Sequence, residues 1–286
     1  MLPFRQVDVF TSEFLLGNPV AVVHGADGLS SQEMARFARW TNLSETTFLL
    51  EPTDPAADYR LRIFTTAREL PFAGHPTLGS ARAWLAAGGN TASRRELVQE
   101  CGAGRVRIRR DGDRLAFAAP PLLRGGPVDP ADLAQVATAI GVRLDEVVDA
   151  QWADNGPGWV AVLLADADRV LSLHPDSSKF GRFPDIGVVG PHPAGSEAAF
   201  EVRAFIAGAA ATEDPVTGSL NAALAQWLIG SGRAPQSYVA SQGTRLQRKG
   251  RIHISQQDGE IWVGGDTVVG VTGSVNLPER PAGLPE

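Results

Sequence analysis

Residues Glu69 to Ala81 read ELPFAGHPTLGSA, and residues Glu213 to Ala225 read EDPVTGSLNAALA. Both stretches contain the pattern E-x-P-x-x-G, and in both the glycine is followed by a helix-like run of small and apolar residues. The second copy begins 144 residues after the first, close to half of the 286-residue chain. An unusual turn repeated at this interval indicates an internal duplication, with one copy in each half of the protein.

Strand and helix patterns surround both copies of the turn. In the first half, β-branched runs, a turn signal and a serine cap predict a strand pair within Arg5–Val23, a helix over Ser31–Trp40, strands at Thr46–Leu50 and Tyr59–Thr65, and a hairpin of Arg105–Arg109 with Arg114–Ala118. In the second half, apolar runs predict strands at Trp159–Asp166, Phe200–Ala207, Ile252–Ser255 and Glu260–Gly265. Each half therefore has strands, a glycine-led helix and further strands.

This arrangement predicts an α+β protein of two similar domains. The stretch AAPPLLRGGPVDP, from Ala118, is the best candidate for a linker, because it is rich in proline and glycine. Directly after it, Asp129 is expected to cap a helix whose first residue is Pro130. We predict a first domain at 1–120 and a second at 121–286, and the sequence leaves open whether the last strand returns to the first domain.

Composition excludes several classes of function. The formal net charge of −6 and the pI near 5.4 leave no basic surface for nucleic acid. No signal peptide and no apolar run long enough to span a membrane is visible, so we expect a cytoplasmic protein without a membrane partner. A single cysteine, Cys101, excludes an internal disulfide, and the five histidines show no H-x-x-x-H spacing. We therefore expect no metal site.

The two helix starts have the chemistry of an anion site. The first N–H groups of a helix lack intrahelical partners and carry partial positive charge, and a preceding glycine lets a ligand approach them. Pro76 suits a first helical turn, and Ser219 is a favoured cap residue. We expect two such starts, one per domain, to hold a small carboxylate between the domains, beside the titratable His75 and Asp214. The competing interpretation is that both turns are purely structural.

Glu45, in the segment NLSETTF, cannot be assigned from its chemistry alone. A lone glutamate between a helix and a strand is usually a solvated loop carboxylate. Its neighbours are polar on one side and apolar on the other, so partial burial could instead raise its pKa into the range of a general acid or base.

Four segments together resemble one family. They read VDVFTSEFLLGNPVAVV from Val7, NLSETTFLL from Asn42, RIFTTARELPFAGHPTLGSA from Arg62 and TEDPVTGSLNAAL from Thr212. In content, order and spacing they are similar to the phenazine biosynthesis PhzF-like proteins, which share the fold of diaminopimelate epimerase. Each segment alone is a weak signal, but the set spans both halves of the chain.

The resemblance implies a fold and an activity. Each domain would be a barrel-like β-sheet around a central helix, and a pseudo-two-fold rotation would relate the two domains. The protein would be a homodimeric isomerase that acts on a small carboxylate without a cofactor. In the best-known reaction of the family, a proton moves from C3 to C1 of trans-2,3-dihydro-3-hydroxyanthranilate, and the resulting enol tautomerises to a ketone.

The resemblance also assigns roles to individual residues. The acid/base glutamate would move the proton along one face of the substrate, the histidine would orient or share that proton, and the aspartate would bind the substrate amino group. The serine and two glycines would hold the substrate carboxylate. The catalytic residues correspond to Glu45, His75 and Asp214, and the substrate-binding residues to Gly74, Gly218 and Ser219.

Two departures from the family pattern concern loops. Thr66 stands where many relatives have proline, which affects the stiffness of that loop. The segment QGTRLQRKGRIHI around Arg248 follows the family's glycine-arginine-proline segment only loosely. This second departure leaves the substrate open.

Three other functions compete with this interpretation. An epimerase of the diaminopimelate type needs two opposed thiols, and the chain has only Cys101, which lies outside both motifs. A dinucleotide-binding enzyme is also disfavoured, because Gly102-Ala103-Gly104 lacks the third glycine of the fingerprint and precedes a strand pattern. A small-molecule-binding or regulatory protein that keeps the fold without turnover stays open.

Overall fold

The computed structural model describes residues 1–91, 95–183, 185–206 and 213–277. The chain divides into two compact units. Unit 1 comprises Met1–Phe117 together with the chain from Gly265 onward, and unit 2 comprises Ala118–Gly264. Ala207, the end of one predicted strand, and Thr212, in one of the four family segments, lie outside the described residues.

Strands and helices alternate irregularly along the chain. In chain order, the elements up to the boundary of unit 1 are β1 (Leu2–Val9), β2 (Asn18–Val23), α1 (Ser31–Thr41), β3 (Thr46–Leu50), β4 (Tyr59–Phe64), β5 (Glu69–Leu70), α2 (Gly74–Ala86), β6 (Glu96–Cys101), β7 (Gly104–Asp111) and β8 (Arg114–Ala118). They are followed by α3 (Pro130–Ile140), β9 (Val147–Trp152), β10 (Trp159–Leu164), α4 (Ala167–Leu171), β11 (Asp185–Pro191), β12 (Phe200–Ile206), β13 (Glu213–Asp214), α5 (Gly218–Gly230), β14 (Ser237–Gln242), β15 (Gly250–Gln257), β16 (Glu260–Gly265) and β17 (Thr267–Val275).

The two units have the same strand pairing. In unit 1, β1 pairs antiparallel with β2, β2 parallel with β3, β3 antiparallel with β4, β4 antiparallel with β5 and parallel with β6, and β6, β7 and β8 form an antiparallel meander. In unit 2, strands β9 to β16 repeat this series in the same order and with the same directions. The predicted fold class, two similar α+β domains, is therefore confirmed.

Each unit carries one helix that is buried nearly all round. In α2, nine of thirteen residues are buried, and α5 is buried to the same extent. A helix that is buried on nearly all sides is enclosed by the rest of the fold and does not lie at the protein surface. Gly79 of α2 shows how closely the helix and sheet approach, because an added Cβ would lie 2.3 Å from Val20 Cγ1 of β2. The helix therefore fills the concave side of a barrel-like sheet.

One strand of unit 1 comes from the far end of the described chain. β17 pairs antiparallel with β1 from Leu2↔Val275 to Val9↔Thr267, with one bulge between Gln6 and Val7. Arg82 of α2 also donates from Nε to Thr267 Oγ1 at 2.7 Å. β17 thus closes unit 1 against both its first strand and its central helix.

Helix ends show where local sequence signals held. Ser30 caps α1 in a capping box with Glu33, as the serine cap predicted. Asp129 occupies the cap position of α3 and Pro130 its first position, but the Asp129 side chain makes no capping hydrogen bond, so that part of the prediction is wrong. No helix among the described residues is long and apolar enough to cross a membrane.

Candidate active site

The first copy of the repeated turn places His75 in the first turn of the buried helix of unit 1. α2 begins at Gly74, and Ala73 before it is extended, with φ −152° and ψ 140°. Gly74, His75 and Pro76 are the first three residues of the helix, so His75 lies in the predicted first turn, while the glycine opens the helix instead of preceding it. The N–H groups of Gly74 and His75 thus belong to the set that has no intrahelical acceptor.

His75 is a buried, neutral imidazole between two polar side chains. Its residue surface is 5% exposed. Nδ1 lies 3.3 Å from Asn18 Nδ2, and Nε2 lies 3.3 Å from Glu45 Oε2. Burial lowers the pKa of His75 from 6.5 to about 3, because the cation would lose its hydration. At neutral pH the ring therefore carries a single proton.

Glu45 is not the solvated loop carboxylate that is usual for a lone glutamate. It directly precedes β3, all five residues of which are buried, and only 15% of its side chain is exposed. The preceding turn is fixed by a 2.7 Å hydrogen bond between the hydroxyls of Thr41 and Thr46. A partly buried carboxylate beside a buried neutral imidazole is an arrangement suited to proton transfer.

The second copy of the turn is held by a buried amide. Gln242 of β14 is 1% exposed, and its Oε1 accepts from Thr217 N at 3.0 Å and from Asn221 Nδ2 at 2.9 Å. Its Nε2 donates to Thr217 Oγ1 at 2.8 Å and to the main-chain oxygen of Asp214 at 3.1 Å. Thr217 Oγ1 in turn donates to Asp214 Oδ2 at 2.6 Å. The Asp214 carboxylate is thereby fixed just before α5.

Ser219 lies inside the first turn of α5 and is not its cap, so that prediction is wrong. The helix begins at Gly218, and Thr217 occupies the cap position. The Ser219 Oγ accepts a hydrogen bond of 3.1 Å from the indole N–H of Trp159, and its main-chain oxygen accepts one of 2.9 Å from Asn155 Nδ2. Since the Ser219 Oγ already accepts from Trp159, its own proton is available to donate elsewhere.

The glutamate of E-x-P-x-x-G has a structural role in both units. Glu69 forms a two-point ion pair with Arg62 at 2.7 and 2.6 Å, and Glu213 forms one with Arg203 at 2.9 and 2.7 Å. Each arginine lies on the strand that pairs with the short strand carrying the glutamate. The chain reads RIF from Arg62 and RAF from Arg203, so the repeated motif extends upstream to R-x-F.

The structure brings together the site residues within each unit. In unit 1, Glu45 and His75 meet at 3.3 Å beside the N-terminus of α2. In unit 2, Asp214, Gly218 and Ser219 share the N-terminus of α5. In the part of the chain that the structure describes, no three His, Cys, Asp or Glu side chains are grouped as a metal site would require.

Sequence reasoning missed the residues that orient these groups. Asn18, Trp159 and Gln242 contact site residues, but no role was assigned to them, although Asn18 and Gln242 lie in segments that were compared with the family. The available signal was positional, since Asn18 and Trp159 each open the second strand of their unit, directly after a glycine.

Comparison with known proteins identifies the family. The family model for phenazine biosynthesis-like proteins, PhzC–PhzF, matches residues 7–274. The chain is 36% identical to antisense-enhancing sequence 1 of Schizosaccharomyces pombe, with 94% of this chain and 97% of that protein covered. It is also 36% identical to the trans-2,3-dihydro-3-hydroxyanthranilate isomerase of Pseudomonas aeruginosa, with 86% and 87% covered.

A solved structure shows the same fold. The PhzF-family phenazine biosynthesis protein of Bacillus anthracis superposes with a TM-score of 0.82 at 22% identity, covering 96% of this chain and 99% of that one. The family match spans both units, and curated relatives are named as isomerases. The chain therefore belongs to the PhzC–PhzF family of phenazine biosynthesis-like proteins and is an isomerase.

Proposed function

We propose that this isomerase moves a proton between two carbons of a small carboxylate by general acid/base catalysis, without a cofactor. The reaction would be of the trans-2,3-dihydro-3-hydroxyanthranilate isomerase type. The observation that carries the proposal is the contact of Glu45 with a buried, neutral His75 at the start of α2. The isomerase of Pseudomonas aeruginosa, at 36% identity, supports the choice of substrate class.

In the proposed reaction, Glu45 acts first as a base and then as an acid. Its carboxylate takes the proton from C3 of the substrate, and the electron pair of that C–H bond enters the conjugated system. The same proton then returns from the Glu45 carboxyl group to C1, and Glu45 is ionised again. The product is an enol, which tautomerises to the ketone. No redox change occurs, and atoms balance because the proton that leaves C3 arrives at C1.

The remaining site residues bind substrate in this proposal. The exposed N–H groups at the start of a helix bind carboxylates, which gives Gly74 and Gly218 their role. Ser219 has a hydroxyl proton available to donate, and Asp214 has a fixed carboxylate for the substrate amino group. Homodimer formation and a cytoplasmic location stay predictions.

Proton NMR in deuterated water tests the proposal. The substrate trans-2,3-dihydro-3-hydroxyanthranilate is incubated with wild-type protein, with Glu45→Gln and with Glu51→Gln. Glu45 and Glu51 flank the same strand, and Glu51 is exposed, so the second variant is a matched control. We expect the wild type and Glu51→Gln to convert the substrate, and Glu45→Gln to lose at least about a hundredfold in rate.

Each other outcome has a defined meaning. Full turnover by Glu45→Gln would remove Glu45 from the mechanism. If the folded wild-type protein leaves the compound unchanged, this compound is not its substrate. Binding of a carboxylate ligand with no deuterium entering its C–H positions would contradict proton transfer at the carbons of that ligand.

A further inference from the structure

The main chain at Asn18 is buried and closely packed, although it follows a loop. It is the first residue of β2 and is 1% exposed. Gly17 before it donates its N–H to Asp8 Oδ2 at 3.1 Å, and Asp8 is itself 2% exposed. A Cβ at position 17 would lie 2.3 Å from the main-chain oxygen of Val9, so only glycine permits this turn. The turn therefore fixes the main chain at Asn18, whose side-chain amide contacts His75.

The contact between the Asn18 amide and His75 selects which ring nitrogen of His75 carries the proton. Asn18 Nδ2 lies 3.3 Å from His75 Nδ1, and an amide nitrogen can only donate. A neutral imidazole that accepts at Nδ1 carries its proton on Nε2. His75 Nε2 lies 3.3 Å from Glu45 Oε2, an ion-pair distance rather than a hydrogen bond, so in this tautomer a polar N–H and not a lone pair lies beside the carboxylate.

The opposite orientation of the amide is electrostatically worse. If the amide oxygen faced Nδ1, the proton would sit on Nδ1, and the lone pair of Nε2 would face a carboxylate oxygen at 3.3 Å. Two electron-rich atoms at that distance in a buried site repel each other. An ionised Glu45 therefore favours the same tautomer that the Asn18 amide selects.

Unit 2 uses the equivalent position for the same purpose. Trp159 is the first residue of β10, the counterpart of β2, and Ser219 is the second residue of α5, as His75 is of α2. The indole N–H, which can only donate, bonds to Ser219 Oγ. In both units, a donor at the start of the second strand orients the side chain after the helix glycine.

We propose that Asn18 is a positioning residue that holds His75 in the Nε2–H tautomer, so that an N–H and not a lone pair lies beside the Glu45 carboxylate that acts as the base. The catalytic part of this inference rests on the proposed function; the tautomer itself does not. Asn18 acts through His75. Its loss changes which atom of the His75 ring lies beside the Glu45 carboxylate, and it removes no contact with the substrate.

Nitrogen NMR tests the tautomer without an activity assay. Long-range ¹H–¹⁵N correlation on protein labelled at histidine separates protonated from unprotonated ring nitrogens, and the His75 signals are identified by their loss in His75→Gln. We expect Nδ1 to be unprotonated and Nε2 protonated in the wild type at neutral pH. The reverse pattern overturns the proposal at once, with no variant of Asn18 needed.

Asn18→Asp extends the test at a pH where the ¹³C shift of the new carboxyl group shows it to be ionised, because an ionised aspartate of the same shape can only accept. We expect Nδ1 of His75 to become protonated in this variant and kcat to fall at least about tenfold with little change in KM, since a wrong histidine tautomer impairs catalysis while geometry is kept. Thr77→Val is the control: it removes the buried Gln99–Thr77 hydrogen bond in the same helical turn and should leave both readouts unchanged.

The two proposals fail in different ways. If the wild type does not isomerise the tested compound, the proposed substrate is wrong, while the nitrogen spectrum still decides the tautomer. If Asn18→Asp leaves the tautomer of His75 unchanged, or keeps full kcat after the tautomer has changed, the role given to Asn18 is wrong.

Discussion

A histidine that is neutral in the folded protein but protonated when unfolded makes stability depend on pH, and His75 is such a residue. Its pKa in the folded state is lowered by burial to about 3, against 6.5 in the unfolded chain. Between these values the unfolded state binds a proton that the folded state does not. The contribution of His75 is therefore fully present above about pH 6.5 and is lost as the pH falls towards 3.

Replacing His75 should make the protein less sensitive to acid. From pH 7 to pH 4.5, the free energy of unfolding of His75→Gln should fall by about 2–3 kcal/mol less than that of the wild type. Urea denaturation at a series of pH values measures this difference. The exposed His174, replaced in the same way, is the control and should follow the wild type. Identical pH dependence for the wild type and His75→Gln would contradict the argument.

At the level of single residues, sequence singled out candidate site residues but not the contacts that hold them. His75 was singled out by its place after a repeated glycine, and Glu45 only through the family resemblance. The low exposure of Glu45 could not be foreseen, because its local sequence is half polar and half apolar. The contact of Asn18 with His75 joins residues 57 positions apart, and nothing in either neighbourhood announces it.

At the level of elements, the internal repeat offers a matched experiment. The pair Arg203–Glu213 is buried, with 5% and 9% of its side chains exposed, while Arg62–Glu69 has 25% and 41% exposed. Arg203 also donates to the main-chain oxygens of Val170 and Leu173. The same ion pair thus occurs once buried and once partly exposed to solvent.

Removing the glutamate should therefore have very different effects in the two units. Glu213→Ala leaves a buried arginine without its partner, which costs about 3–5 kcal/mol. Glu69→Ala breaks a partly exposed pair, worth about 1 kcal/mol or less. The free energies of unfolding of both variants and the wild type, from urea denaturation, test this. Equal losses would show that burial does not decide the strength of this pair.

Strands with regular patterns were predicted well, and those that depend on close packing were missed. β3 has the predicted bounds, and β7 and β8 form the predicted hairpin. β11, with the sequence DIGVVGP, gives no clear strand signal because it contains two glycines and a proline. An added Cβ at Gly187 would lie 2.3 Å from Leu220, and one at Gly190 2.3 Å from the Asp166 oxygen. Both positions require glycine because of close contacts with residues that are distant in sequence.

At the level of the whole molecule, unit 1 depends on β17. This strand is a partner of β1 along its full length and contacts α2 through Thr267. A chain that ends after Gly265 should therefore lose amide-exchange protection in β1 and α2, while β14 and β15 of unit 2 keep theirs. Hydrogen exchange read by mass spectrometry measures both. A chain that ends after Leu277 retains β17 and is the control.

Unchanged protection of β1 in the shorter chain would mean that β17 contributes little to unit 1.

The sequence predicted the duplication from the 144-residue interval between the two turns, and the repeated strand pairing agrees with it. It left the destination of the last strand open. A period-two pattern identifies a strand but not its partner, and the partner here begins at Leu2.

The late position of β17 also sets an order of events during synthesis. All of unit 2 leaves the ribosome between Phe117 and the strand that completes unit 1. At about 5–20 residues per second, these roughly 150 residues take about 7–30 s. The half of the protein that is made first is therefore finished last, and the free edge of β1 needs protection from other nascent chains in the meantime.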